Sequence, residues 1–157
     1  LAILMAQHFP HAMIDAVDLS PDALDVARIN VSESGMEDRI GLIEGDLFGP
    51  LTGNRYDLII TNPPYVSAQV MSALPPEYAH EPEMALGSGE DGLDITRRIL
   101  ADAGKHLNPG GGLLCEIGED REILEAEFPD LPFLWLDTEE SSGEVFWLSA
   151  DDLGCKA

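Results

Sequence analysis

Basic residues are scarce in this chain: 8 Lys and Arg stand against 30 Asp and Glu, a formal net charge of -22. A surface of that sign repels a phosphate backbone, so direct binding of nucleic acid is not expected. It favours encounter with a basic partner, most strongly at low salt. A generally acidic proteome would carry the same excess, because net charge bears on solubility and association rather than on fold. Cysteine is nearly absent, with Cys115 inside an apolar run and Cys155 in the tail. That excludes a disulfide framework and a cysteine metal site, and it suits a reducing cytoplasm. No apolar stretch approaches the roughly 20 residues that span a bilayer, which excludes a membrane helix. The opening LAILMAQHF has neither a basic leader nor a small-residue cleavage site, so it reads as part of a helix and not as a signal peptide. A start in mid-helix without a methionine is what a fragment is expected to show. What remains is ordinary: 157 residues with a 45% hydrophobic share fit one globular domain, ordered except at its ends.

Strand and helix signals alternate along the chain. Residues 1–8 read as the end of a helix closed by Pro10, and AMIDAVDLS as a short buried strand ending at Asp18. Ser20-Pro21 then supplies an N-cap followed by proline at the first helical position, and the helix stops at Gly35. A second strand is expected over 39–46, followed by a turn-rich link through Gly49, Pro50 and Gly53. YDLIIT is an unbroken apolar run, typical of a strand covered on both faces. Residues 66–92 form a long loop rich in Pro, Glu and Gly, a length that in a compact domain is usually either functional or disordered. A helix over 92–107 follows, turning Leu93, Leu100, Ala103 and Leu107 inward, and Asn108-Pro109-Gly110 is expected to break it. GLLCEIG is a strand, 119–127 an acidic helix, and PFLWLD and EVFWLS a closing pair around the turn ESSG, with Trp135 and Trp147 as core residues. The pattern is that of an α/β, Rossmann-like doubly wound domain with an antiparallel hairpin at its end. Ligands in such sheets sit beyond the carboxyl ends of the strands.

Three strand ends carry candidate chemistry. The first ends in Asp18, an acid placed to accept from ribose hydroxyls; helix capping is the other reading, but Ser20 already fills that role. The second ends in Gly45-Asp46-Leu47-Phe48, where a carboxylate can accept from an exocyclic amine and Leu47 can face a ring. An ordinary Gly-Asp turn explains that stretch equally well in isolation. The third ends in Asn62-Pro63-Pro64-Tyr65. Two consecutive prolines fix φ near -65° and withdraw two donors. The Asn62 side-chain oxygen and the Pro63 carbonyl can then face outward as rigid acceptors, with Tyr65 as a flat wall. Such a set suits a planar NH₂ conjugated to a carbonyl or a heteroaromatic ring. Accepting from both protons raises electron density on that nitrogen and turns its lone pair towards an electrophile, an effect of positioning and electrostatics.

NPPY after a strand, with Asp18 and Asp46 at the two preceding strand ends, resembles the class I S-adenosylmethionine-dependent methyltransferases that modify planar amino nitrogens. Within them, NPPYVSAQVMSALPPEYAHEPEMALGSGEDGLDITRRIL looks like the protein-(glutamine-N(5)) methyltransferases. LPPEYAHEPEMAL, FPDLPFLWLD and GEVFWLS are nearest the branch that acts on large-subunit ribosomal protein L three, rather than the release-factor branch. The resemblance covers nearly the whole chain. It implies S-adenosyl-L-methionine as cofactor and S-adenosyl-L-homocysteine as product, held by Asp18, Leu19, Asp46, Leu47 and Asn62. It implies a glutamine amide as acceptor at Asn62, Pro63, Pro64 and Tyr65, with Asn62, Pro63 and Tyr65 as the catalytic set and no metal. It also implies a cytoplasmic enzyme whose partner is a basic ribosomal protein.

The chain departs from that family in one respect. The glycine-rich loop after a first strand is absent, and so is a helical amino-terminal substrate domain; Gly110-Gly111-Gly112 precedes a strand and reads as a turn. Residues 1–157 are therefore expected to be the carboxy-terminal part of a single catalytic domain, missing its first strand and glycine-rich loop. Weak cofactor binding, little activity as cut, and lower stability or self-association are the expected consequences. Two other functions fit the same residues: a nucleic-acid amino methyltransferase, which the charge opposes, and an interaction module that kept the fold without the cofactor pocket. His80 and Glu81-Pro82 belong to the long loop, where Glu81-Pro82 is expected to help fold it over the acceptor site, and His106 sits at a helix end where it favours the dipole.

Overall fold

The computed structural model describes residues 1–65, 88–118, 120–137 and 143–154. The expectations for most of the long loop, including His80 and Glu81-Pro82, and for Cys155 lie outside the described residues. The chain divides into two compact units, Leu1–Asn54 and Arg55–Ala157. No helix among the described residues is long and apolar enough to cross a membrane.

In the first unit, helix α1 (Ala2–His8) leads to strand β1 (Ile14–Asp18), helix α2 (Pro21–Glu33) and strand β2 (Ile40–Glu44). The Ser20 hydroxyl accepts from the amide of Ala23 at 3.2 Å, with Pro21 opening the helix, as the sequence predicts. Gly35 ends it at a φ of +63°, a left-handed conformation glycine adopts freely. The two strands pair in parallel, from Ile14 opposite Ile40 to Asp18 opposite Glu44. Ala6, Val31 and Ile40 form the core beneath them, packed by Ile3, Ile14, Ala16, Met36 and Leu42. The end of α1 is closed by Arg39, whose guanidinium donates to the carbonyls of Ala6 at 2.9 Å and Phe9 at 3.3 Å. Those are orphan helix-end acceptors that would otherwise rely on water.

The second unit is a four-stranded sheet in the order β3-β4-β6-β5: β3 (Tyr56–Thr61), β4 (Leu107–Glu116), β5 (Leu134–Leu136) and β6 (Val145–Ser149). β3 runs parallel to β4, while β6 runs antiparallel to both β4 and β5. Helices α3 (Asp94–Ala103) and α4 (Arg121–Glu127) provide the connections. Leu93, Ile99, Leu107, Leu113, Ile117, Leu124, Phe146 and Leu148 are almost wholly buried, and the expected inward residues Leu93, Leu100, Ala103 and Leu107 are all in this core. Cys115 is buried among them, which pushes its thiol pKa up and keeps it protonated.

Several expectations are corrected here. The helix over 92–107 is shorter, Asp94–Ala103, and ends in a 3-10 turn at Gly104–His106. Asn108-Pro109-Gly110 does not separate helix from strand; it lies within β4 as a bulge, so that the register passes from Tyr56–Leu107 to Leu58–Gly112. Gly110 supports the bulge at a φ of +81°. β3 is not covered on both faces: Asp57 and Leu58 are exposed, and among the described residues β3 pairs on one side, with β4. Trp135 and Trp147 are half-buried and flank the wholly buried Phe146, which stands edge-on to Trp135 at 5.6 Å between centroids.

One guanidinium ties three parts of this unit together. Arg97 on α3 holds Asp91 bidentately at 2.9 and 2.6 Å, Asp94 at 3.1 Å and Glu127 at the end of α4 at 2.8 Å. The Arg97 hydrogen bonds draw the Asp91 carboxyl from 3.8 down to about 2. A depressed folded-state pKa contributes stability above the unfolded value, lost as pH falls through the folded one. The unfolding free energy is therefore expected to fall by about 1 kcal/mol as acid carries Asp91 from its usual 3.8 towards 2, allowing for solvent screening of a partly exposed pair. Denaturant titrations across that range should show the decline, and Arg97→Met should flatten it. A second expectation concerns packing. A Cβ at Gly112 would lie 2.1 Å from the Trp147 ring. Gly112→Ala should therefore cost about 1–3 kcal/mol of stability by urea unfolding and change tryptophan fluorescence.

Candidate functional site

The first unit brings Asp18, Leu19, Asp46 and Leu47 together at the carboxyl ends of β1 and β2. The Gly45 amide donates to the Asp18 carbonyl at 3.0 Å, extending the parallel ladder one step past the strands. The Asp18 side chain, exposed, accepts from the Ser20 amide at 2.8 Å through Oδ1, which fixes the orientation of the carboxylate. Ser20 thus caps α2 as expected, and Asp18 supports the turn just before it. Beyond Gly45 the chain turns sharply: the Gly49 amide donates to the Asp46 carbonyl at 3.0 Å, and a Cβ at Gly45 would lie 2.5 Å from the Pro50 ring. Gly45 is small because Pro50 packs on it.

Leu47 is the unusual residue in this turn. It is the only non-glycine with positive φ among the described residues, at +49°. A leucine held there carries roughly 1–2 kcal/mol of backbone strain. A plain turn needs no leucine at that position, and glycine or asparagine would relax it. Half-buried and next to the exposed Asp46 in the chain, Leu47 offers an apolar side chain beside a carboxylate. Asp18 and Asp46 as acceptors and Leu47 as a ring surface suit the diol and the amine-bearing ring of a nucleoside.

The second unit places Asn62, Pro63, Pro64 and Tyr65 directly after β3. Asn62 is exposed, Pro63 buried, and Pro64 and Tyr65 half-buried, and no peptide bond here is cis. Because β3 and β4 run parallel with Thr61 opposite Cys115, the residues that follow both strands lie side by side. The neighbours of Tyr65 are therefore Glu116 and Gly118. Its ring lies on Gly118, where a Cβ would come within 3.0 Å of Cδ2. Burial, and after it the negative charges of Glu116 and Glu144, raise the phenol pKa above its usual value. Glu116, Gly118 and Glu144 were not evident from the sequence, where GLLCEIG reads as a buried strand. The one signal was a charged residue closing an otherwise apolar run. His106 lies in the 3-10 turn before β4, remote in sequence from these strand ends. Among the described residues no group of three or more His, Cys, Asp and Glu could hold a metal ion.

Comparison with known proteins points in one direction. The Methyltransferase small domain family matches residues 1–76. The ribosomal protein uL3 glutamine methyltransferase of Bradyrhizobium diazoefficiens is 62% identical over 98% of this chain and 48% of that protein. Its namesake in Neisseria gonorrhoeae is 60% identical over 98% of this chain and 51% of that one. The chain thus spans about half the length of the curated relatives it matches. Among solved structures it is similar to a methyltransferase from Pyrococcus furiosus, with a TM-score of 0.64 at 18% identity over 95% of this chain and 68% of that one. TrmN from Thermus thermophilus gives 0.64 at 20% identity over 94% and 40%. At such identities the structural likeness shows the fold, that of class I methyltransferases.

The strain at Leu47 is directly measurable. Leu47→Gly should leave the unfolding free energy unchanged or raise it by up to about 1 kcal/mol, although it removes a half-buried side chain. Leu47→Val, branched at Cβ and worse in this conformation, should lower it by more than about 1 kcal/mol. Urea unfolding of the two variants checks the pair.

Proposed function

We infer that this chain belongs to the protein glutamine methyltransferase family and serves the methylation of a glutamine side-chain amide in ribosomal protein uL3, within a cytoplasmic enzyme. The observation that carries this reading is 60–62% identity, across 98% of the chain, to proteins named for that activity. The acidic surface, at a net charge of -22, supports a basic protein as acceptor rather than nucleic acid. We take residues 1–157 as part of one catalytic domain, with the further length of its relatives contributing to cofactor and substrate binding.

The two strand-end groups divide the work by their chemistry. Asp18 and Asp46 accept from the ribose diol and the adenine amine, with Leu19 and Leu47 as apolar neighbours. When bound, S-adenosyl-L-methionine supplies an electrophilic methyl on a sulfonium and leaves as S-adenosyl-L-homocysteine. Asn62 Oδ1 and the Pro63 carbonyl accept the two amide protons of the substrate glutamine. That shifts electron density onto its nitrogen and orients the lone pair for in-line attack. Pro63 and Pro64 contribute rigidity, since neither can rotate φ or offer a competing donor. Tyr65 walls the acceptor side. Once the new C–N bond has formed, the nitrogen carries the excess positive charge and its proton becomes acidic enough to leave to water. No general base is needed before attack.

Full-length protein incubated with S-adenosyl-L-methionine and uL3 should methylate one glutamine, read by peptide mass. Asn62→Ala is expected to lower kcat by roughly 100-fold or more with the fold intact. Asp18→Ala should mainly weaken S-adenosyl-L-homocysteine binding in calorimetry. Methyl transfer to short RNA or DNA with none to uL3 would overturn the assignment of the acceptor.

A further inference from the structure

Gly118 stands just past β4, and the Tyr65 ring lies against it. A Cβ at this position would sit 3.0 Å from Tyr65 Cδ2 and 3.6 Å from both Cγ and Cε2, facing one side of the ring. Carbon atoms in ordinary contact stand about 3.5–4.0 Å apart, so a side chain here would push the ring away. The backbone does not itself call for glycine. Gly118 lies outside the left-handed region that Gly110 and Gly143 occupy at φ of +81° and +72°. Nor can this stretch of backbone easily withdraw from the ring. The preceding residue, Ile117, is buried, and its amide donates to the Glu144 carbonyl at 2.7 Å. Tyr65 is only half-buried, so the ring is the partner that would move.

We propose that Gly118 is a positioning residue for methyl transfer: having no side chain, it admits the Tyr65 ring against the end of β4 and so sets where the aromatic wall of the acceptor site stands. This rests on the glutamine methyltransferase reading. Two prolines hold the backbone before Tyr65 but leave its χ1 and χ2 free, so the ring is placed by what it packs on. Strand register brings that surface to it, since Thr61 pairs with Cys115 and the residues after both strands lie side by side. A ring pushed off its seat shifts relative to the amide that Asn62 and Pro63 receive. Misplacement by about 1 Å can cost on the order of 100-fold in rate. Gly118 acts in this role only through Tyr65.

Two measurements on the full-length protein test this independently. The first reads the contact without any activity. Replacing glycine by alanine also restricts the unfolded chain, so the effect of Gly118→Ala on the urea midpoint is compared in two backgrounds. It should be less favourable in the wild type than in Tyr65→Ala, where no ring remains to be displaced. The second reads catalysis. Gly118→Ala is expected to reduce kcat for the glutamine substrate about tenfold while leaving the KM for S-adenosyl-L-methionine unchanged, and Gly118→Val to reduce kcat further. Equal midpoint shifts in the two backgrounds would show that the ring does not depend on Gly118 and overturn the proposal. Unequal shifts with an unchanged kcat in Gly118→Ala would overturn positioning while the methyltransferase reading stands. If the wild-type full-length protein methylates no glutamine, that reading falls and takes the positioning role with it, even where the midpoints still report the contact.

Discussion

The parallel ladder between β3 and β4 is the constraint on which the candidate acceptor site depends. Parallel strands end on the same side, and here Thr61 stands opposite Cys115. Whatever follows β3 must therefore lie beside whatever follows β4. That places Asn62-Pro63-Pro64-Tyr65 against Glu116 and Gly118, residues more than fifty positions apart in sequence. The bulge at Asn108–Gly110 helps set this alignment, since the register over Leu58 to Thr61 differs from that at Tyr56. Further along, Gly112 makes room for the Trp147 ring on β6, so the same strand also fixes the hairpin that carries Glu144.

The first unit repeats the logic with β1 and β2. Their ladder ends with Asp18 opposite Glu44 and continues through the Gly45 amide, so Asp18 and the Asp46 turn share one strand-end surface. Energetically the two units differ. In the first, a small apolar core and the Arg39 clamp hold short elements together. In the second, an extensive core is supplemented by Arg97, which joins the turn before α3, the helix itself and the end of α4. The strain stored at Leu47 is affordable only because the turn on either side is pinned by Gly45 against Pro50 and by the Asp46 carbonyl.

Much of this was legible in the residue order. The alternation of apolar runs with capped helices predicts β1, α2, β2, β3 and the closing hairpin within a residue or two, because those elements are specified by local periodicity and by Ser20, Pro21 and Gly35. Asn62-Pro63-Pro64-Tyr65 announces itself, since two missing donors after a strand have few structural uses. The stretch Asn108–Gly110 misleads: proline and glycine commonly punctuate structure, but here the neighbouring strand retains pairing on both sides of the break and makes a bulge of it. The apolar character of β3 suggests burial on both faces, yet Leu58 is 37% exposed. Position at a sheet edge is a property of pairing, not of composition.

The sequence by itself determined the class of fold, the acidic character, and which residue types stand at each strand end: the acids Asp18 and Asp46, Asn62 ahead of two prolines, and the aromatic Tyr65. These follow from side-chain chemistry and from spacing along one chain, which local rules capture. Only the tertiary structure decided which of those groups meet. The seat that Gly118 gives the Tyr65 ring depends on long-range strand register, whereas the left-handed turn at Leu47 is held by contacts within the turn. Register is a contest among all the pairings the sheet could adopt, and packing of the whole core settles it.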